Sequence, residues 1–515
     1  MILLQYNFDL YESDFRQMIQ AFFFGERIVT EVKGKVVKEE QEAPLFVFDA
    51  WFGDGTDRLD VEDTEMAGQS DPASLEPGVI VMRILVDGVC QAQEHVICRY
   101  RDRKACRNQV KATAYHLLSG YSGRTLPWGS MTGVRPTKFA TSMAEAGYSD
   151  EEIIREYETT YLTTRQKGEI CCLVARREQA LLSPFHYTEE YCLYIGIPFC
   201  PTRCLYCSFA SYPMDACSDL VEPYLQAMTK ELDYVAQAYR NKRLVAIYMG
   251  GGTPTALSVD QLARIIEHVY EIFDTTYVRE FTVEAGRPDS LSEDKLHMLH
   301  EHPVTRISIN PQTMNDATLT LIGRAHTSGQ IIETYRMARR IGLDNINMDM
   351  IVGLPKETLT EIRHTLDSIR ELRPDSLTVH SLALKRSAEL NIQMQKYRDS
   401  ITGSTDEMLN AADMTAKALG MEPYYLCRQK NIPGNLENVG YAVPGKECLY
   451  NVLIMEEKMD IIAVGAGTST KMVYPDAVGR IENVKNLKDY IQRVDEMIAR
   501  KEAEFRKKGI LSAME

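Results

Sequence analysis

Between Tyr191 and Ser381, short aliphatic and β-branched runs alternate with stretches whose apolar residues recur at helical spacing. Residues 192–197, 246–249, 280–284, 306–310, 345–351 and 376–381 predict strands, and 220–239, 259–273, 292–301, 328–341 and 358–372 predict helices. Asp289, Ser292, Ser328 and Thr358 stand at or near the helix starts, where a short polar side chain caps free backbone N–H groups. Six β–α units in succession imply parallel strands joined by right-handed crossovers. The fold class expected is α/β, with a partial (β/α)6 barrel over 186–385. In such barrels the chemistry gathers at the carboxyl ends of the strands.

Upstream, strands at 1–10, 28–37, 45–52 and 78–86 and helices at 13–24 and 103–120 predict a separate N-terminal α/β domain over 1–185. Residues 53–77, rich in Asp, Gly, Ser and Pro, read as a loop. A basic run of Arg99, Arg101, Arg103, Lys104, Arg107 and Lys111 opens the later helix, as a solvated face or an anion site. The Gly-punctuated stretch from Trp128 to Pro136 has no assigned role. Downstream, strands near 424–428 and 461–468 and a charged helix from 483 predict a small C-terminal lid domain over 386–515, covering the barrel's open edge.

Composition narrows the class. The 515 residues are 44% hydrophobic and 25% charged, enough for two or three cores. A formal net charge of −15 argues against a dedicated nucleic-acid binder. The first residues lack a basic, then apolar, leader pattern, and no run approaches eighteen apolar residues, so neither a secretory leader nor a membrane span is expected. Twelve irregularly spread cysteines suit a reducing, cytoplasmic setting rather than a disulfide scaffold.

Cys200, Cys204 and Cys207 form a C-x3-C-x2-C run directly after a predicted strand. Structural zinc wants four closed ligands, and no partner pair follows; a C-x2-C redox pair leaves Cys200 unexplained. Three thiolates instead suit a [4Fe–4S] cluster whose fourth iron lacks a protein ligand, an open position that S-adenosylmethionine would occupy. Such a cluster needs an anaerobic or protected setting. Gly250-Gly-Gly-Thr253 allows close backbone approach and fits a cradle for that cofactor's ammonium group. Glu284, Gln312, Arg324 and Asp349 sit near later strand ends, as hydroxyl acceptors, a donor/acceptor and a carboxylate fork.

In order and spacing, Cys200–Cys207, 250–255, Glu284, 306–312, 323–327, 347–355 and Gly465-Ala-Gly467 resemble the radical S-adenosylmethionine enzymes of the oxygen-independent coproporphyrinogen III oxidase family. The extra N-terminal domain resembles that family's HemZ-type branch. The resemblance implies that Cys200, Cys204 and Cys207 ligate the cluster and that Tyr206 packs on adenine. It implies that Tyr194 contacts the cluster-bound cofactor as a catalytic residue. Gly251, Gly252, Thr253, Glu284, Gln312, Arg324, Asp349 and Ala383 would line sites for one or two S-adenosylmethionine molecules. The activity implied is oxidative decarboxylation of two coproporphyrinogen III propionates to vinyl groups through a 5′-deoxyadenosyl radical, fed by a reduced flavodoxin- or ferredoxin-type donor. Two departures stand out. Phe209 replaces the family oxidase's fourth cysteine, and Cys448-Leu-Tyr-Asn451 stands where the related heme chaperone has a His-Asn motif. Heme binding and transfer, or another radical reaction on a tetrapyrrole, therefore remains the alternative.

Overall fold

The computed structural model describes residues 1–7, 10–32, 43–53, 78–98, 102–209, 211–383, 385, 388–392, 397, 405–429 and 432–510. Packing divides the chain into two units, one of Met1–Ala175 with Cys427–Glu437 and the surroundings of Asp406, the other holding the remainder.

In the N-terminal unit, β1 (Ile2–Tyr6), β2 (Ile28–Val32), β3 (Val47–Gly53), β4 (Gly78–Val86) and β5 (Val89–Cys98) form one sheet in the order β2-β1-β3-β4-β5. Helices α1 (Glu12–Phe22) and α2 (Arg103–Ser122) bury Phe15, Phe22, Val110 and Leu118 against Phe48 and Ile80 of the sheet. Strand β5, absent from the expectation, follows β4 through Asp87-Gly88, both at positive φ, the backbone a two-residue hairpin turn demands. Helices Thr137–Glu145, Asp150–Thr160 and Arg165–Leu182 fill a stretch left unassigned in the sequence. Of the predicted features, residues 33–37, 54–77, Arg99 and Arg101 lie outside the described residues.

The stretch from Trp128 has a structural task within this unit. The Trp128 indole donates to Glu437 at 2.6 Å, Lys167 donates to the same carboxylate at 2.8 Å, and Arg428 donates to the Met131 carbonyl at 2.6 Å. Gly129, at φ 49°, passes so close to the Leu162 carbonyl that a Cβ there would stand 2.2 Å away.

The second unit carries the barrel. Strands β6 (Glu190–Ile197), β9 (Arg243–Gly251), β10 (Glu280–Glu284), β11 (Arg306–Ser308), β12 (Ile346–Val352) and β13 (Ser376–Ser381) pair in parallel in that order. Strands β6, β10 and β12 are buried almost without interruption, as parallel strands covered on both faces must be. The two end strands do not pair with each other, so the barrel is partial. A short pair, β7 (Phe199–Cys200) and β8 (Tyr212–Pro213), follows β6. The intervening helices Val221–Ala238, Val259–Ile272, Glu293–Glu301, Ser328–Ile341 and Leu359–Leu372 begin on side-chain caps at Ser258, Ser292, Thr327 and Thr358 in four of five cases. Ser328 is thus the first helical residue rather than the cap, and Asp289 caps nothing because its carboxylate is held by Arg287.

Strands of the segment expected to form a small lid domain over 386–515 prolong the barrel sheet at both edges. Strands β14 (Glu422–Arg428) and β15 (Glu437–Ala442) extend it beyond β13. At the other edge β16 (Asp460–Val464) pairs in parallel with β6, followed by β17 (Ser469–Val473) and β18 (Val478–Glu482). A buried polar hub fastens this addition. Glu231 accepts from the Gly465 N–H at 2.8 Å, Asn483 at 2.8 Å, Tyr490 at 2.5 Å and Lys501 at 2.7 Å, with both charged side chains fully buried.

Candidate active site

The cysteine run lies just past β6, on the carboxyl side of the barrel. Cys200 ends β7, and its sulfur accepts from the Thr253 hydroxyl at 3.5 Å. The Cys207 N–H closes a turn onto the Cys204 carbonyl at 3.1 Å, and the Leu205 N–H bonds the Ile322 carbonyl at 2.9 Å. All three thiols are free. Burial pushes Cys200 and Cys207 above their ordinary value, and the charge of Cys204 adds to it, so the trio shares one electrostatic neighbourhood.

Among the described residues, no three His, Cys, Asp or Glu side chains converge tightly enough to hold one metal ion. The donor set is three soft sulfurs on one loop, the ligand type that suits an iron–sulfur cluster. Arg287, three residues past Glu284, reaches this loop. It donates to Cys204 Sγ at 3.5 Å and to the Thr202 carbonyl at 3.3 Å and hydroxyl at 2.9 Å. Its other contacts go to Asp289 at 2.7 and 2.9 Å, and Asp289 in turn faces the buried His326 at 3.3 Å.

The glycines are explained first by packing. The Gly252 N–H bonds the Ile197 carbonyl and the Thr253 N–H the Phe199 carbonyl, both at 2.7 Å. A Cβ on Gly252 would stand 2.6 Å from the Phe199 oxygen, and one on Gly250 would stand 2.8 Å from the Glu284 carboxyl carbon. These residues let the loop after β9 lie flush against the cysteine loop.

Around that loop most of the remaining candidates are hydrogen-bonded in two groups, Tyr206–Arg324–Asn310–Asp349 and Tyr248–Glu284. Glu284, at the end of β10, accepts from Tyr248 Oη at 2.6 Å and from the Gly251 backbone. Burial, seconded by the charge of Asp349, pushes its carboxyl up to about 7. Asp349, inside β12, accepts from Asn310 at 2.8 Å and Asn347 at 2.6 Å. Burial works against its ionised form, but hydrogen bonds led by His380 outweigh it and hold the group below its usual value. Gln312 is buried at φ 65°, a left-handed conformation costly for a residue with a Cβ, and its backbone pairs with Asp349 and Ile351 at 2.9 Å each. Arg324 spends one nitrogen on the carbonyls of Asn310 at 2.7 Å and Gly286 at 3.2 Å and another on Tyr206 Oη at 3.3 Å. Its buried Nε has no partner. Ala383, half-buried just beyond β13, joins none of these bonds.

Tyr194 stands in a stack of three. Its ring lies 6.0 Å from Tyr248 and 5.9 Å from Tyr450, and those two are 4.6 Å apart. Tyr194 and Tyr248 are register partners on adjacent strands, so both point to the same face. Tyr450 and Cys448 belong to the segment around the helix Leu449–Glu456. Cys448 is buried, with burial foremost in raising its thiol to about 12, and it faces Glu280 at 3.5 Å. Sequence reasoning missed Arg287, Asn310, Tyr248 and Tyr450. Only the equal spacing of Tyr194 and Tyr248 from their strand ends offered a signal.

Comparison with known proteins fits this arrangement. Residues 194–369 match the model of the Radical SAM superfamily. The oxygen-independent coproporphyrinogen-III oxidase-like protein HemZ of Bacillus subtilis is 39% identical over 390 residues, covering 75% of this chain and 78% of that protein. The heme chaperone HemW of Lactococcus lactis is 31% identical, covering 54% of this chain and 68% of its own. The solved coproporphyrinogen III oxidase HemN of Escherichia coli, a radical SAM enzyme, superposes with a TM-score of 0.50 at 25% identity over 62% of this chain and 72% of that one. With a cysteine triplet on the carboxyl side of a six-stranded partial barrel, the chain belongs to the radical SAM superfamily, in the HemZ-type branch of the oxygen-independent coproporphyrinogen III oxidase family, whose cofactors are a [4Fe–4S] cluster and S-adenosylmethionine.

Proposed function

We propose that this protein oxidatively decarboxylates coproporphyrinogen III, turning two ring propionates into vinyl groups. The observation that carries the reading is the hydrogen-bonded chain from Tyr206 through Arg324 and Asn310 to Asp349, whose charge also acts on Glu284, set beside the cysteine loop. Cys200, Cys204 and Cys207 would hold three irons, and Tyr206, Gly251, Gly252, Thr253, Glu284, Gln312, Arg324, Asp349 and Ala383 would line the nucleotide's site. When bound, cluster and S-adenosylmethionine supply a one-electron cleavage that yields a hydrogen-abstracting carbon radical. Each propionate would lose CO2 and one hydrogen atom, taken by that radical, and pass one further electron to an external electron acceptor. This chain's own work is placement. Tyr248 orients the Glu284 carboxylate, Asn310 and Asn347 fix Asp349, and the tyrosine stack walls the barrel interior with apolar ring faces.

A second reading, heme binding and transfer, draws on the 31% identity to a heme chaperone. Against it, the segment Cys448–Asn451 offers a thiol that is buried and faces a carboxylate rather than an accessible iron ligand. Anaerobically reconstituted protein given reductant, S-adenosylmethionine and coproporphyrinogen III should release CO2 and protoporphyrinogen. Formation of 5′-deoxyadenosine with no vinyl product removes that substrate, and stoichiometric heme uptake in a parallel spectral titration favours the second reading.

A further inference from the structure

Two sequence features are left over by the barrel chemistry, the basic run on α2 and the Gly-punctuated stretch after Trp128. They line one cavity of about 520 Å³ in the N-terminal unit, a size usual for small-molecule sites. Arg103, Lys104, Arg107 and Lys111 come from the first turns of α2, and Thr132, Gly133 and Val134 close the other side. Among the described lining residues there is no carboxylate.

This placement runs against helix physics. Like charges three and four residues apart repel, and cations at a helix N-terminus oppose the macrodipole. One neighbour relieves part of the repulsion: Asp14 on α1 binds Arg107 at 2.8 and 2.9 Å. Arg103 and Lys104 have no such partner among the described residues, and Asp14 acts on Lys111 only from beyond hydrogen-bonding reach. Lys111 is the telling case. It is only 8% exposed, yet its ammonium makes no hydrogen bond and no ion pair with any described residue. Arg428, lining an adjoining smaller cavity, also keeps a buried guanidinium nitrogen without a partner. Buried cations are normally paired, and Lys111 is an unpaired one that lines this cavity.

We propose that this cavity is a binding site for a small anion carrying two or more phosphate or carboxylate groups. Lys111 binds it from below and Arg103 and Lys104 hold it at the rim, while Arg107 is oriented by Asp14. The site is independent of the radical chemistry, so its test reads binding and not turnover.

The test is calorimetric titration of the full-length reconstituted protein, with inorganic pyrophosphate as the phosphate probe and citrate as the carboxylate probe. At least one binds with 1:1 stoichiometry, more weakly as salt is raised, and the preferred probe tells which oxyanion the site takes. Lys111→Gln, and separately the exposed pair Arg103→Glu with Lys104→Glu, should each weaken binding roughly tenfold or more while circular dichroism stays native. A loss in either natively folded variant supports the site. If neither probe binds, or both variants bind like the parent protein, the site does not exist.

Discussion

Glu284 and Arg287 stand three residues apart and meet opposite fates. The Glu284 carboxyl, pushed from 4.5 up to about 7 by burial and by Asp349, holds more protons folded than unfolded between those values. Stability must therefore fall as pH rises through that window and level off above about 7. Urea midpoints for parent protein and Glu284→Gln should diverge in slope over the window; parallel curves would refute the burial account. Arg287 donates to Cys204 Sγ. A hydrogen bond to a ligating sulfur favours the more electron-rich cluster. Arg287→Met should shift the midpoint potential of the reconstituted cluster to more negative values at unchanged iron content, whereas an unmoved potential assigns the arginine to loop packing alone. The cysteine triplet was legible because its three thiols stand within eight residues. Arg287 was not, since its partners Thr202 and Cys204 lie more than eighty positions away.

Elements were easier to read than contacts. Strands β10 and β13 and the helix Ser328–Ile341 have the bounds the hydrophobic pattern predicts, because apolar runs in a doubly covered sheet end where the chain meets solvent. The Asp87-Gly88 hairpin carried a turn signal that went unread, and with it strand β5, whose mostly exposed side chains show no apolar alternation. The helix Leu449–Glu456 shows what local pattern cannot supply. It has no side-chain cap of its own; Glu280 on β10 accepts from the N–H groups of Leu449 at 2.7 Å and Tyr450 at 3.2 Å. Glu280→Ala should leave those donors unmet and cost about 1–3 kcal/mol in denaturant unfolding. Since the same helix carries Tyr450, any loss of order there should also loosen the stack on Tyr194 and Tyr248.

Across the whole chain, the barrel unit depends on pairings that span hundreds of positions. How the C-terminal segment attaches was not legible for a reason of this kind: the parallel pairing of β16 with β6 joins segments some 270 residues apart, beyond any local periodicity. Glu231 and Lys501 make the same point in charge. Lys501→Met should strand a carboxylate in the core and cost about 3–5 kcal/mol, and adding Glu231→Leu should restore part of it, measured as urea midpoints. A double variant no better than the single would mean that shape, not charge, dominates there. Until the segment bearing Lys501 has been translated, Glu231 has no cation to neutralise it. The half of the chain that carries the cysteine triplet thus cannot settle its buried carboxylate until the helix Val494–Lys507 docks against it.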